Sequence, residues 1–253
     1  MVDVFRRMLA LHNHYPDKNS RILDFGCGTG NLVYEFRDAG FDACGFDIHD
    51  YLDLRSPNDR EYFQIGESTG IDSSEFTLDW SQYRMPYEDG TFDVVVSSQT
   101  MEHVLNLDAV LRELARVTKP KGIAIHILPS RYAFREAHTF VPFGGLLSKF
   151  YWYNYFWVLL GVRNEYQKGR TVQDVAERYT RYAHTGTCYL PILKYRELGL
   201  KYFEDARFAS DLWFVASGRR GWRLLRPALL AHTLFEEIVW VLEKPRQGNQ
   251  RAF

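Results

Sequence analysis

Ile22-Leu23-Asp24-Phe25-Gly26-Cys27-Gly28-Thr29-Gly30 is the stretch on which the reading of this chain turns. An apolar run passes into alternating glycines, the pattern of a buried strand that bends sharply and opens a helix. Glycine reaches backbone conformations closed to other residues, and its missing side chain lets a ligand lie against the main chain. A second apolar stretch, Ala43-Cys44-Gly45-Phe46, ends at Asp47. In strand-loop-helix units of this kind, nucleotide-like ligands bind at the carboxyl edge of a parallel sheet, and an acidic group on the next strand takes a ribose.

The ligand follows from the glycine frame. A dinucleotide fingerprint needs G-x-G-x-x-G/A, whose last position lets helix and strand pack closely. Counted from Gly26 that position is Asn31, and from Gly28 it is Val33, so neither frame fits. The observed Asp24-x-Gly26-x-Gly28-x-Gly30 instead resembles the first motif of class I S-adenosylmethionine-dependent methyltransferases. Tyr87-Glu88-Asp89-Gly90-Thr91-Phe92-Asp93-Val94-Val95 and Met101-Glu102-His103-Val104 are similar to later motifs of the small-molecule (type 11-like) branch.

That resemblance implies S-adenosyl-L-methionine as cofactor. It puts Asp24, Gly26, Cys27, Gly28 and Gly30 around the methionine end, and Asp47, with Ile48 beside it, at the ribose hydroxyls. A carboxylate suits two vicinal hydroxyls because it accepts without donating. Asp79 falls where such enzymes hold the adenine amine, with Trp80 available to the purine face. A strand-end cap and a core tryptophan are the competing readings of these two residues. Gln99 should border the cofactor and the substrate mouth. Ser97-Ser98-Gln99-Thr100 lacks the Asn/Asp-Pro-Pro-aromatic run of adenine and glutamine N-methylases, which disfavours that branch.

Composition bounds the rest. The chain has 253 residues, 46% hydrophobic and 25% charged, as in a soluble globular protein. A net charge of −1 gives no global attraction to nucleic acid, so none is expected as partner. Three cysteines cannot all pair, which favours a reducing, cytoplasmic setting. The N-terminus lacks the long apolar core of a secretory signal.

Patterning predicts an α/β fold: a doubly wound, mostly parallel seven-stranded sheet with a helical insertion before the last strand pair. After the glycine loop, Leu32, Phe36 and Ala39 fall at helical spacing and Gly40 ends the run. Further strands are expected at Ala43–Asp47, Phe76–Asp79, Phe92–Ser97 and Gly122–Leu128, with residues 51–75 as a loop that has room for a short helix. Leu107, Val110, Leu111, Leu114 and Val117 form one helical stripe, with Arg112, Glu113 and Arg116 toward water. Residues 1–130 then form the cofactor-binding core, 131–198 a helical cap, 199–218 a closing strand pair (201–208 and 212–217), and 219–253 a basic amphipathic helix.

Methyl transfer to a hydroxyl needs a proton acceptor, and histidine titrates near neutrality. His138 and His103 are the catalytic candidates. His138 lies in Arg135-Glu136-Ala137-His138-Thr139-Phe140-Val141-Pro142, which resembles the His-Thr-x-x-Pro segment of methyltransferases of polysaccharide and lipid biosynthesis. His126 alternates along a strand and reads as interior. No Cys/His cluster has metal-ligand spacing, so no metal is expected.

The aromatic run from Phe143 to Leu160 is open to three readings: a buried cap helix, an apolar acceptor pocket or membrane-surface helix, and a span. Arg219, Arg220, Arg223 and Arg226, followed by Leu234, Ile238, Val239 and Leu242, would suit anionic lipid or a second subunit of a homodimer.

The expected function is methyl transfer to a small-molecule acceptor, at a hydroxyl of a glycan, a lipid-linked intermediate or a polyketide- or quinone-like compound. Its runner-up is a carbon or nitrogen acceptor. A Rossmann oxidoreductase and a non-catalytic cofactor-binding relative are the readings from other classes.

Overall fold

Short β-branched and aromatic runs that are apolar on both sides need a sheet covered on both faces, and that is what the chain builds. The computed structural model describes residues 1–66, 83–209 and 237–246. Its strands are β1 (Arg21–Phe25), β2 (Asp42–Asp47), β3 (Phe63–Ile65), β4 (Phe92–Ser98), β5 (Thr118–Pro129), β6 (Phe203–Phe208) and β7 (Glu237–Pro245). They form one sheet in the order β3-β2-β1-β4-β5-β7-β6. The first five run parallel, and β7 lies antiparallel between β5 and β6. The helices are α1 (Val2–Leu11), α2 (Asn31–Asp38), α3 (Leu107–Val117), α4 (Gly144–Leu147), α5 (Tyr151–Leu159), α6 (Val172–Thr185) and α7 (Ile192–Tyr202).

Strand alternation divides the core in two. Ile22, Val94, Val96, Ile123, Ile125, Val239 and Val241 pack with Phe5 and Leu9 of α1 and Val33 and Phe36 of α2. Leu23, Val95, Ala124, Trp240 and Leu242 pack on the other face with Leu111 and Leu114 of α3 and Tyr195 of α7. The strand order reverses between β1 and β4, which opens a crevice at their carboxyl ends. The glycine loop leaves β1 there, and Gln99–His103 leaves β4 there.

Four expectations are corrected. The strand beside β2 is Phe63–Ile65, inside the stretch read as loop; three residues are too few to show a period. The expected strand at 76–79 lies outside the described residues. Ile238, Val239 and Leu242, assigned to a C-terminal helix, belong instead to β7, where Ile238–Leu242 are all buried. Five consecutive apolar residues suit a strand covered on both faces better than one stripe of a helix. The segment 212–217 and the arginines from 219 to 226 lie outside the described residues. The cap is also shorter than 131–198, since α7 packs on α3 and β6 as part of the core. Finally, Glu113 is buried rather than facing water. It receives Arg116 Nη2 at 2.6 Å and the Met85 N–H at 2.8 Å, so this pair ties α3 to the segment entering β4.

Residues 130–191 rise over the carboxyl edge. Val141, Val158, Val175 and Tyr179 form a small core of their own. Asn154 is fully buried and donates through Nδ2 to the Ser148 carbonyl (2.7 Å) and Thr180 Oγ1 (2.8 Å), joining α5 to α6. Nine residues make α5 only about 14 Å long, and no helix among the described residues is long and apolar enough to cross a membrane. Its outer face leaves Trp152 75% and Phe156 52% exposed.

Candidate active site

Each glycine in the loop after β1 has its own reason to be there. Gly26, Gly28 and Gly30 all have positive φ, at 75°, 52° and 83°. A Cβ at Gly26 would overlap the Thr100 side chain, and one at Gly30 would strike the Phe63 ring. At Gly28 nothing lies within 4 Å of that position, so its bare backbone faces open space. The Gly26 and Cys27 N–H groups donate to the Phe46 carbonyl (2.8 and 3.2 Å), pinning the loop to β2. Asp47 Oδ2 accepts from the Gly28 N–H at 2.8 Å, and Oδ1 accepts from the His49 N–H at 3.1 Å. A carboxylate has about four acceptor positions, so Asp47 retains capacity for hydroxyl donors.

Asp24 is buried, and desolvation, helped by the charge of Asp47, pushes its pKa up to about 7. Cys27 is buried too, and burial drives its thiol far above the ordinary range, so it stays uncharged. Ile48 is half-buried against the core. Gln99 has φ 55°, donates its N–H to the Ile127 carbonyl (2.8 Å) and reaches Glu237 Oε1 with Nε2 (3.4 Å). Its side chain is therefore engaged with β7. Asp79 and Trp80 lie outside the described residues. His126, fully buried, shares a hydrogen with Ser97 Oγ through Nδ1 (2.8 Å), and burial lowers its pKa to about 3.

The two catalytic candidates meet. The rings of His103 and His138 lie 4.9 Å apart between centroids, with Tyr182 5.4 Å from His138. Glu136, buried among them, organises the cluster. Its Oε1 accepts from His138 Nδ1 (3.0 Å) and the Tyr189 hydroxyl (2.7 Å). Its Oε2 accepts from the N–H groups of His138 (2.9 Å) and Thr139 (2.5 Å) and from Thr139 Oγ1 (2.8 Å). Burial alone would raise its pKa. The histidine, the Thr139 N–H and the tyrosine outweigh burial and bring it down to about 2.

The ionised Glu136 acts on His138 in turn. Burial disfavours imidazolium, but the hydrogen bond and charge of Glu136 prevail and raise the His138 pKa. His103 goes the other way, lowered by burial despite a 2.6 Å hydrogen bond from Nδ1 to the Gly186 carbonyl. Glu102 beside it is fully buried, and burial lifts its pKa to about 7. An open cavity of about 890 Å³ adjoins the cluster, with His138, Tyr182, Phe140, Asn164 and Arg178 in its wall.

Comparison with known proteins bears on the family and the fold. A family model described as a methyltransferase domain matches residues 2–191, most of the chain. The chain belongs to the methyltransferase domain family. Sterol 4-C-methyltransferase strm-1 of Caenorhabditis elegans is 33% identical over 122 residues, which are 45% of this chain and 34% of that protein. Sterol 24-C-methyltransferase erg6 of Schizosaccharomyces pombe is 30% identical over 128 residues, 48% of this chain and 32% of that protein. This chain thus spans about a third of the length of these curated relatives. Phosphoethanolamine N-methyltransferase 2 of Haemonchus contortus, solved with phosphomonomethylethanolamine and S-adenosylhomocysteine, shares the fold. It has a TM-score of 0.51 at 12% identity, covering 96% of this chain and 53% of that one.

S-adenosylmethionine is the cofactor of this class, and the loop of the methyltransferase domain fits it. Gly28 leaves its backbone bare to open space, and Asp47 stands at the end of β2 with acceptor capacity for hydroxyls. Sequence reasoning missed Glu136, Glu102, Tyr182 and Tyr189 as site residues. Glu136 carried a readable signal, two positions before His138 in a segment already singled out. Tyr189, 53 positions from Glu136, carried none. The search for metal ligands by spacing also could not see that Glu102, His103 and His138 converge, with one ligand atom from each all within 4.8 Å of one another.

Proposed function

We propose that this domain transfers a methyl group from S-adenosylmethionine to a hydroxyl oxygen of a small-molecule acceptor. In this reading the glycine loop, Asp24 and Asp47 hold the cofactor, and His138 takes the acceptor's proton. The observation that supports it is the Glu136–His138 pair, with His138 in the wall of an open cavity.

The cofactor, when bound, supplies a methyl group already activated on sulfonium. What remains for the protein is alignment, proton removal and exclusion of water. Glu136 holds the His138 proton on Nδ1, which leaves the Nε2 lone pair to receive the hydroxyl proton. With the cofactor bound, the acceptor oxygen would take the methyl carbon as its bond to sulfur breaks, and the hydroxyl proton would pass to His138 Nε2. Imidazolium is then stabilised by the Glu136 charge, which is the sense of the raised pKa. Arg178, Asn164 and Tyr166 around the cavity suit an oxygen-rich acceptor, such as a glycan, a lipid-linked intermediate or a polyketide- or quinone-like ring. A carbon or nitrogen acceptor is the second reading, favoured by the sterol C-methyltransferases among the relatives.

The test is calorimetric titration with S-adenosylhomocysteine, joined to transfer of labelled methyl to a hydroxyl panel. The expected result is binding by wild type and by His138→Ala alike, with transfer by the variant lowered about 10²- to 10⁴-fold. Wild-type transfer by His138→Ala would overturn the role given to this histidine. Absence of S-adenosylhomocysteine binding would overturn the whole reading.

A further inference from the structure

The convergence of Glu102, His103 and His138 carries a second assignment. Both histidines are held in one tautomer by what lies behind them. A carbonyl can only accept, so the 2.6 Å contact between His103 Nδ1 and the Gly186 oxygen places that proton on Nδ1. The ionised Glu136 does the same for His138. Each ring therefore presents an unprotonated Nε2. An acceptor fixed on one ring nitrogen while the other is left bare is the outer-shell arrangement of metal-bound histidines.

The third donor is stranded. Glu102 is fully buried, and neither carboxylate oxygen has a hydrogen-bond partner among the described residues. A carboxylate withdrawn from water and left unpaired is costly, and a cation is what would offset that cost. Its Oε1 lies 3.8 Å from His103 Nε2, too far for a hydrogen bond and close to the spacing of two ligands on one ion. The Cys188 N–H donates to the Glu102 carbonyl at 2.6 Å, so the backbone that bears this carboxylate is fastened to the cap.

We propose that Glu102, His103 and His138 bind a divalent first-row transition ion, the histidines through Nε2 and the glutamate through a carboxylate oxygen. Two imidazoles and one carboxylate are a donor set for zinc, iron, cobalt or manganese rather than for magnesium or calcium. Three protein ligands leave coordination positions open, both rings are partly exposed, and His138 lines the cavity.

The inference rests on the acceptor reading above and gives it a Lewis acid. An acceptor hydroxyl on the ion would lose its proton to bulk water at lower pH, and the ion would assume the task otherwise given to His138 Nε2. The bond forming is still O–C and the bond breaking C–S, so no oxidant or reductant is required.

Untagged full-length protein, stripped with chelator and desalted, is titrated with Zn²⁺ by calorimetry and with Co²⁺ by visible absorption. One equivalent should bind with micromolar affinity or better, and Co²⁺ should give the d–d bands of a site with nitrogen ligands. Glu102→Gln and His103→Ala should each weaken Zn²⁺ binding at least 10-fold, while S-adenosylhomocysteine affinity, read on the same samples, shows that each variant is folded.

Stoichiometry below a tenth of an equivalent, or a Co²⁺ spectrum unchanged by His103→Ala, overturns the site. If stripped protein in excess chelator still methylates hydroxyls at the wild-type rate, the ion's part in transfer is overturned while the base reading stands. If Zn²⁺ binds and no hydroxyl is methylated, the metal site stands and the acceptor reading falls.

Discussion

Replacing Glu136 by glutamine tests the centre of the site by changing its charge and almost nothing of its shape. In the native protein the carboxylate accepts five hydrogen bonds, and its pKa falls from an ordinary 4.5 to about 2. A depressed native pKa means the folded state favours the ionised form. The resulting stability is present in full above pH 4.5 and is lost as pH falls through 2. A difference of about 2.5 units corresponds to roughly 3 kcal/mol at neutral pH.

The amide retains one acceptor oxygen, best spent on the fixed N–H groups of His138 and Thr139. Its NH₂ then faces His138 Nδ1, and two donors cannot share that position. The imidazole must move its proton to Nε2, which removes the lone pair from the cavity side. The expected loss is about 2–3 kcal/mol at pH 7, or about 5–10 °C in Tm for a chain of this size. Urea unfolding read by far-UV circular dichroism from pH 7 to 3.5 measures it, and the gap to wild type should narrow by about 1 kcal/mol at the acid end. Imidazole ¹⁵N chemical shifts should show the change of tautomer at His138. Equal stability at pH 7, or a gap that does not change with pH, would refute the role of the charge. An unchanged tautomer would refute the link to His138.

The glycine loop separates structural from ligand-facing positions. Gly28→Ala should cost only about 1 kcal/mol of stability for its left-handed backbone, yet lower S-adenosylhomocysteine affinity at least 10-fold in calorimetry, because its methyl enters open space. Asp47→Asn should weaken the same ligand about 10- to 100-fold, through loss of charge-assisted bonds worth about 1.5–3 kcal/mol, with Tm little changed. Arg116→Met should destabilise by about 3 kcal/mol in denaturant unfolding, because it strands the buried Glu113, and adding Glu113→Leu should recover most of that. Methyl transfer should fall on acidification with an apparent pKa above 6.5, since Glu136 raises that of His138 and only the neutral ring accepts a proton.

Where chain-local chemistry determines conformation, the sequence was legible. Gly26 and Gly30 combine positive φ with neighbours that leave no room for a Cβ, and their spacing announces the turn before any fold is known. α3 was legible from its apolar stripe, which repeats for three turns, and the structure adds an Asn106 cap that the reading did not name. Glu113 breaks the pattern because its partner is on the same helix, so two polar residues enter the interior together. β7 was misread where tertiary context decides. Leu234, Ile238, Val239 and Leu242 satisfy a helical stripe, but Val241 and Trp240 between them are equally apolar, and only a strand enclosed by β5 and β6 buries both parities.

The site divides along the same line. His103 was visible in its motif and His138 in its segment, yet nothing local says that 35 positions of chain return one ring to the other. The cap does that, through the Gly186 carbonyl on His103, the Asn164 Nδ2 donating to the His138 carbonyl at 2.9 Å, and the Tyr189 hydroxyl on Glu136. These three contacts come from different stretches of residues 164–189, and each fixes orientation rather than supplying a reacting group. It follows that substitutions far along the cap should act on the imidazoles as strongly as changes beside them. Removing the Tyr189 hydroxyl takes away a donor that helps keep Glu136 ionised, and so weakens the grip on the proton at His138 Nδ1. The chemistry of the cluster is therefore a property of the cap's fold over the sheet edge, which is why the sequence named the histidines and missed Glu136, which orients one of them.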